Sequence, residues 1–219
     1  MRQILLMCIA LVSVVPVSSA EQTDNRQDWH FQVFLDDQAI GHHTFSLSRI
    51  GASTQVAVDA KFNVKFLFIT AYSYQHQNYE VWRDNCLYSI HSQTDDNGDA
   101  QYVNGQKTGT TFQIQTAAGQ NRVEGCLKTF AYWDASFLQS RQLLNAQTGE
   151  VMSIEVQPLG IVELLIQQQR VPAKQYRLVT DKFSIDLWYA VDNNDWLALK
   201  STTRDGTVLR YQKVAEVKS

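Results

Sequence analysis

The side chains best suited to hold a metal or act as nucleophiles are five histidines (His30, His42, His43, His76, His91) and three cysteines (Cys8, Cys86, Cys126). His42 and His43 are adjacent in a predicted strand, so they point to opposite faces and cannot share an ion without a bulge. His76 and Glu80 lie four residues apart on one strand face, too far along an extended chain to hold an ion unaided. His91 could join them only from a neighbouring strand. The histidines therefore read as solvated or hydrogen-bonded structural residues, and no metal site is expected. Residues 95–99, DDNGD, lack the spaced ligands and closing Glu of a calcium loop and read as a hairpin tip. No Gly-x-Ser-x-Gly elbow, phosphate-cradling glycine loop or His-Glu-x-x-His helix occurs. No catalytic residue and no cofactor can be nominated from motifs, although catalytic groups can also be assembled in space.

Cys86 and Cys126 show no Cys-x-x-Cys spacing. An even pair in an oxidising compartment favours a disulfide over a reactive thiol. Closing a loop of about 40 residues would stabilise the fold by roughly 4 kcal/mol in the chain-entropy model.

Two further stretches carry binding potential. In Ala71–Trp82, AYSYQHQNYEVW, Tyr72, Tyr74, His76 and Trp82 can line one face, with Asn78 and Glu80 between them. Aromatic bodies with polar tips suit a cavity for an amphipathic ligand. They also suit an outer tyrosine-rich face or a core margin. Ile161–Ile166, IVELLI, is apolar on both faces except at Glu163. It reads as a central strand covered on both sides or as the wall of an apolar pocket. Glu163 must pair, reach the rim or take a proton, because burying it alone is costly. The candidate ligand-binding residues are thus Tyr72, Tyr74, His76, Trp82 and Glu163.

The elements that would position these residues are strands. From Val56 to Phe68 the apolar residues fall on alternate positions (Val56, Val58, Ala60, Phe62, Val64, Phe66, Phe68), the pattern of a half-buried strand. Trp29–Leu35 and Phe183–Tyr189 alternate likewise. Turn signals recur at short intervals: Asp36-Asp37, Gly51, Asn97-Gly98, Asn104-Gly105, Ala118-Gly119, Asn193-Asn194 and Asp205-Gly206. The expectation is an all-β antiparallel meander of about ten or eleven strands, curled into a barrel or half-open barrel. Residues 128–148 break the alternation. They predict a short helical or irregular segment near 130–145, with Asp134 capping a piece from Ala135 to Ser140, which would cover one end of the sheet.

The first residues have the form of a secretory signal. Arg2 is followed by an apolar run from Ile4 to Val15, and Ser18 and Ala20 precede a predicted cut after Ala20. That run is shorter than the about 20 residues of a membrane span. The organisation expected is a signal peptide at 1–20, a flexible N-terminus at 21–28 and one β domain over 29–215, with a periplasmic location. The chain's formal net charge is −3. Cleavage would remove only Arg2 among the charges, leaving a more acidic chain that disfavours nucleic acid.

Longer strings add a resemblance. Trp29 begins W-H-F-x-V-x-L-D-D-x-x-I-G-x-H. VKFLFITAYSYQH (64–76), E-x-W-x-x-x-C-L (Glu80–Leu87), TDDNG (94–98), AYW (131–133), LLNAQTGE (143–150) and LWYAVDNNDWLALKSTTRDGTVLRY (Leu187–Tyr211) follow. Together they resemble an uncharacterised family, a domain of unknown function, of exported proteobacterial proteins. The resemblance implies a similar size and export signal, includes both cysteines in its pattern and carries over no functional residue. The chain is more weakly similar to exported lipoprotein-carrier half-barrels.

Three functions compete. The first is a periplasmic protein binding or carrying a lipid or other apolar small molecule in a curled sheet. The second is an envelope assembly or interaction protein that meets its partner through a sheet edge or aromatic face. The third is an envelope hydrolase using His76, His91 or Glu163.

Overall fold

The computed structural model describes residues 25–66, 69–202 and 206–214. The expected signal sequence, its cleavage site and Phe68 lie outside the described residues. Eight strands come first: β1 (Asn25–Leu35), β2 (Gln38–Ile50), β3 (Ser53–Phe66), β4 (Ile69–Arg83), β5 (Cys86–Asp96), β6 (Asp99–Thr108), β7 (Thr111–Thr116) and β8 (Gly119–Glu124). A short hairpin follows, β9 (Gln142–Leu144) and β10 (Val151–Ser153). The chain ends with β11 (Glu155–Ile166), β12 (Gln169–Val179), β13 (Ser184–Ala190), β14 (Trp196–Thr202) and β15 (Val208–Lys213). β1 starts at Asn25, so the strand takes in part of the stretch 21–28.

Thirteen of these strands form one antiparallel sheet in the order β11-β12-β13-β14-β15-β1-β2-β3-β4-β5-β6-β7-β8. The expected all-β curled meander is present, longer than the sequence suggested and open between β8 and β11. It consists of two meanders, β1–β8 and β11–β15, sewn together where β15 pairs with β1 (Phe31 opposite Lys213, Val33 opposite Tyr211). Tight turns at Asp36, Asp84-Asn85, Asn97-Gly98 and Gln167-Gln168 use positive φ, as short hairpins require.

One expected turn is a strand instead. Asn104-Gly105 sits inside β6, where Gly105 pairs with Ile90 on one side and Ile114 on the other. A Cβ on Gly105 would stand 2.5 Å from the Phe112 ring and 2.8 Å from the Ile90 side chain. This glycine serves close packing rather than a turn, a role the Asn-Gly pair alone does not reveal.

Because β8 and β11 are opposite edges, residues 125–154 must cross from one to the other. This strap runs through the interior rather than over it. Leu127, Phe137, Leu143 and Leu144 are 0–1% exposed. They share one apolar core with Trp29, Phe31, Leu47, Leu87, Phe112, Leu187 and Trp196 of the sheet. The Asp134 side chain accepts a hydrogen bond from the Ser136 backbone and caps a 3₁₀ turn, Ala135–Gln139, close to the expected piece. The strap is tied to β5 by the Cys86–Cys126 disulfide and by the Leu87 backbone N–H donating to Leu127 O at 2.8 Å. Gly149 turns the strap back at φ +75, and a Cβ there would meet Thr116 of β7 at 2.3 Å. Both the left-handed backbone and the close approach demand glycine at that point.

The doubly apolar stretch 161–166 does not form a central strand. β11 is an edge strand bonded only to β12. Ile161 and Leu165 are 66% and 71% exposed. Leu164 and Ile166 pack instead on a small second cluster around Ala173, Ala190 and Leu197.

Candidate polar cavity beneath the strap

β4 alternates cleanly. Tyr74, His76, Asn78, Glu80 and Trp82 are buried, whereas Gln75, Gln77 and Tyr79 between them are exposed. The strand lies in the middle of the β1–β8 meander, with β3 and β5 on its two sides. Its inner face is therefore covered by the strap. A row with an imidazole, an amide and a carboxyl would ordinarily face water; here each group must find partners in the interior.

Glu80 does so most completely. Its Oε1 accepts from Asn78 Nδ2 at 2.8 Å and its Oε2 accepts from Trp82 Nε1 at 2.8 Å. Thr129 Oγ1 of the strap also donates to Oε2, at 3.3 Å. Burial nevertheless pushes the carboxyl above its usual range, with these three donors pulling the other way. His76 Nδ1 meets Thr94 Oγ1 at 2.9 Å, and burial pushes the imidazole down to about 4. From β2, His43 places Nδ1 3.0 Å from the Tyr211 hydroxyl of β15 and stacks on Phe45. Burial, then the nearby His76 and His42, hold its proton affinity well below the normal imidazole value. The rows His43–Ala60–His76 and Phe45–Val58–Asn78 are in register across β2, β3 and β4. Only a methyl group therefore stands between the two rings.

These groups line a cavity of about 230 Å³ between the sheet and the strap. His43, His76, Asn78, Glu80 and Thr129 make one wall. Phe183, Ile185, Leu199 and Leu209, with the hydroxyls of Ser201 and Tyr211, make the facing wall from the β13–β15 side, and Phe130–Trp133 and Asn145–Gln147 of the strap complete the enclosure. Four buried side-chain polar atoms among the described residues have no hydrogen-bond partner. Three belong to inner-face residues: His43 Nε2, Tyr74 Oη and Asn78 Oδ1. The fourth, His30 Nε2, is on the other face of β1 from Trp29 and Phe31. Asn78 is 6% exposed. Its amide nitrogen donates to Glu80, its oxygen is left without a partner, and the residue lines the cavity.

Of the residues singled out in the sequence, His76 lines the cavity. Tyr74 continues the same row, stacked on Phe62 with ring centroids 5.2 Å apart. Trp82 supports it by donating to Glu80, and it meets Trp133 of the strap edge-on. Tyr72 lies toward the strand start, where burial and then Asp96 push its phenol up. Glu163 is elsewhere. It is exposed on β11 and pairs with Arg170 at 3.2 Å. His91 is exposed on the outer face, bonded to Asn104, so it does not join His76. His42 is also outward, 3.4 Å from Asp59, while His43 is inward, as adjacent strand positions require. Among the described residues no three His, Cys, Asp or Glu side chains cluster as metal ligands. Asn78 and Glu80 were legible by parity with His76. His43, Thr129 and Tyr211 were not, because only the sheet order and the strap bring them to this wall.

The fold and this site define a class: an antiparallel β half-barrel whose bore is occupied by its own crossing strap. The chain belongs to the family of the domain of unknown function DUF6134, whose model matches residues 31–214. No curated protein matches it. Among solved structures it is similar to the beta-barrel-like protein of domain of unknown function DUF1849 from Brucella abortus. That match has a TM-score of 0.60 at 8% identity, over 85% of this chain and 94% of that one, and it is a likeness of fold alone. Among the described residues no helix is long and apolar enough to cross a membrane.

Proposed function

We propose that this protein is an exported binding or carrier protein that holds a small amphipathic molecule, lipid-derived or otherwise apolar in body, in the cavity beneath the strap. One observation carries the reading. Asn78 is buried on the cavity wall with its carbonyl oxygen unpartnered, a cost that a bound hydrogen-bond donor would offset. The facing apolar wall supplies a surface for the ligand's body. The disulfide and the signal-like first twenty residues support work in the periplasm.

The test is native mass spectrometry of the protein purified from the periplasm without detergent, followed by organic extraction. A stoichiometric small-molecule adduct, lost when Leu209 is replaced by Trp to fill the cavity, is the expected result. A protein that carries no adduct and takes up none of a panel of amphiphiles would refute the reading.

A second reading, an interaction protein, draws on β11, an edge strand with Ile161 and Leu165 exposed. Its occupant would be an extended segment of another envelope protein added alongside β11. A photo-crosslinker at Leu165 that gives one discrete partner, lost on replacing Leu159 with proline, would favour it over the cavity.

A further inference from the structure

The two walls of the cavity differ in kind, and the difference restricts what can sit between them. This argument rests on the binding reading above. No Lys, Arg or Asp lines the space, and its single ionisable acid, Glu80, already receives hydrogen bonds from Asn78, Trp82 and Thr129. An anionic head would find no cation there and a carboxyl beside it. A cationic head would have to leave water for an acid that already accepts three hydrogen bonds. The unpartnered groups are of another sort. Asn78 Oδ1 is an acceptor without a donor. His43 Nδ1 faces the Tyr211 hydroxyl; when it accepts from that hydroxyl, Nε2 carries the proton and is a buried donor without a partner on a residue that lines the cavity. A hydroxyl is both donor and acceptor and can satisfy either group. Opposite, Phe183, Ile185, Leu199 and Leu209 offer apolar surface, and the two hydroxyls on that side, Ser201 and Tyr211, are already bonded to Ser184 O and His43.

We infer that the cavity selects an uncharged amphiphile, with a hydroxyl or amide N–H head against Asn78 and a short apolar body against the β13–β15 wall, and that it discriminates against carboxylate and ammonium heads on the same body. The expected site-specific contact is the ligand's O–H or N–H donating to Asn78 Oδ1. Burial supports the same selectivity, since His76 and His43 are both held neutral near pH 7.

The experiment uses the whole mature protein and three probes with one tail: 1-octanol, octanoate and n-octylammonium. Their affinities are measured by calorimetry at pH 7, and the Asn78 side-chain amide signals are followed by NMR. Octanol is expected to bind at least about tenfold more tightly than either charged probe, the equivalent of one hydrogen bond's net worth or more, and to shift the Asn78 amide signals. Asn78→Leu should weaken octanol by about tenfold. If that variant does not fold, the amide shift in the unaltered protein serves instead. Octanoate or octylammonium binding as tightly as octanol would overturn the selectivity while leaving the cavity a binding site. Binding of octanol with the Asn78 signals unmoved would overturn the assigned contact. Failure of all three probes, together with a ligand-free native mass, would remove the binding reading and this inference with it.

Discussion

β4 and β11 reverse the usual relation between polarity and depth. The polar string Tyr74, His76, Asn78, Glu80, Trp82 is buried, and the apolar Ile161 and Leu165 are in solvent. Both are long strands of the same sheet. They differ in rank: β4 has a neighbour on each side and the strap across its inner face, whereas β11 is an edge. Place in the sheet order, more than the hydrophobicity of the segment, sets which faces are covered. The polar row is tolerated because each member but Asn78 and Tyr74 has a partner for its buried polar atoms, and the exposed apolar pair is tolerated because isolated apolar residues at a surface cost little.

Substitutions at the two strands should therefore give opposite results to those hydrophobicity predicts. The largest effect is expected for Glu80→Ala, which strips the acceptor from three buried neutral donors; a loss of about 4 kcal/mol in chemical denaturation would match donors left unsatisfied at about 1–3 kcal/mol each. A change below about 1 kcal/mol would mean that water already serves those donors.

Next is the acid side of the stability curve. His76 has a folded value of about 4, against an ordinary 6.5. Above that ordinary value neither state holds the proton and stability is complete. As pH falls toward 4 the unfolded chain takes a proton that the native chain refuses, so stability drops by about 3 kcal/mol, and it levels off below 4. Glu80 acts in the opposite sense: its contribution is present below the unfolded carboxylate value and is lost as pH rises through its raised folded value. In His76→Gln the drop between pH 6.5 and 4 should shrink to the net of what His43 and the opposing Glu80 contribute. An unchanged urea-unfolding profile over that range would show that His76 is not held neutral.

A smaller effect is expected for Glu80→Gln. It keeps one acceptor oxygen and requires only the Asn78 amide to turn, so a cost of about 1 kcal/mol is predicted by the same denaturation assay. The smallest belongs to β11. Ile161→Thr and Leu165→Thr should each stay within about 0.5 kcal/mol, and losses beyond 2 kcal/mol would mean that β11 is covered in solution.

Much of this was legible in the residues. Period-two alternation identified the strands, Asp134 marked the 3₁₀ turn, the spacing and number of cysteines led to the disulfide, and β4 was singled out for its aromatic and polar tips. What was not legible depended on contacts between distant parts of the chain. Asn104-Gly105 reads as a turn until Phe112 and Ile90 are seen packing onto it. Residues 161–166 read as a central strand or a pocket wall because nothing local shows that the chain has just crossed to a free edge. His43 and Tyr211, 168 positions apart, meet only because β15 returns to pair with β1.

That returning strand also has a temporal meaning. The β1–β8 meander contains only neighbour-to-neighbour pairings and can form as soon as its residues are available, but its seam with β15 joins the two ends of the chain. Such distant pairings come late, because loop-closure entropy must be overcome before they contribute. The strap leaves β8 before β11 begins, so the first meander and the strap are contiguous in the chain and the second meander follows both. The cavity is complete only with β15 in place, where Tyr211 stands opposite Val33 and beside His43. A chain truncated before β15 would keep its polar row and lose the means to enclose anything with it.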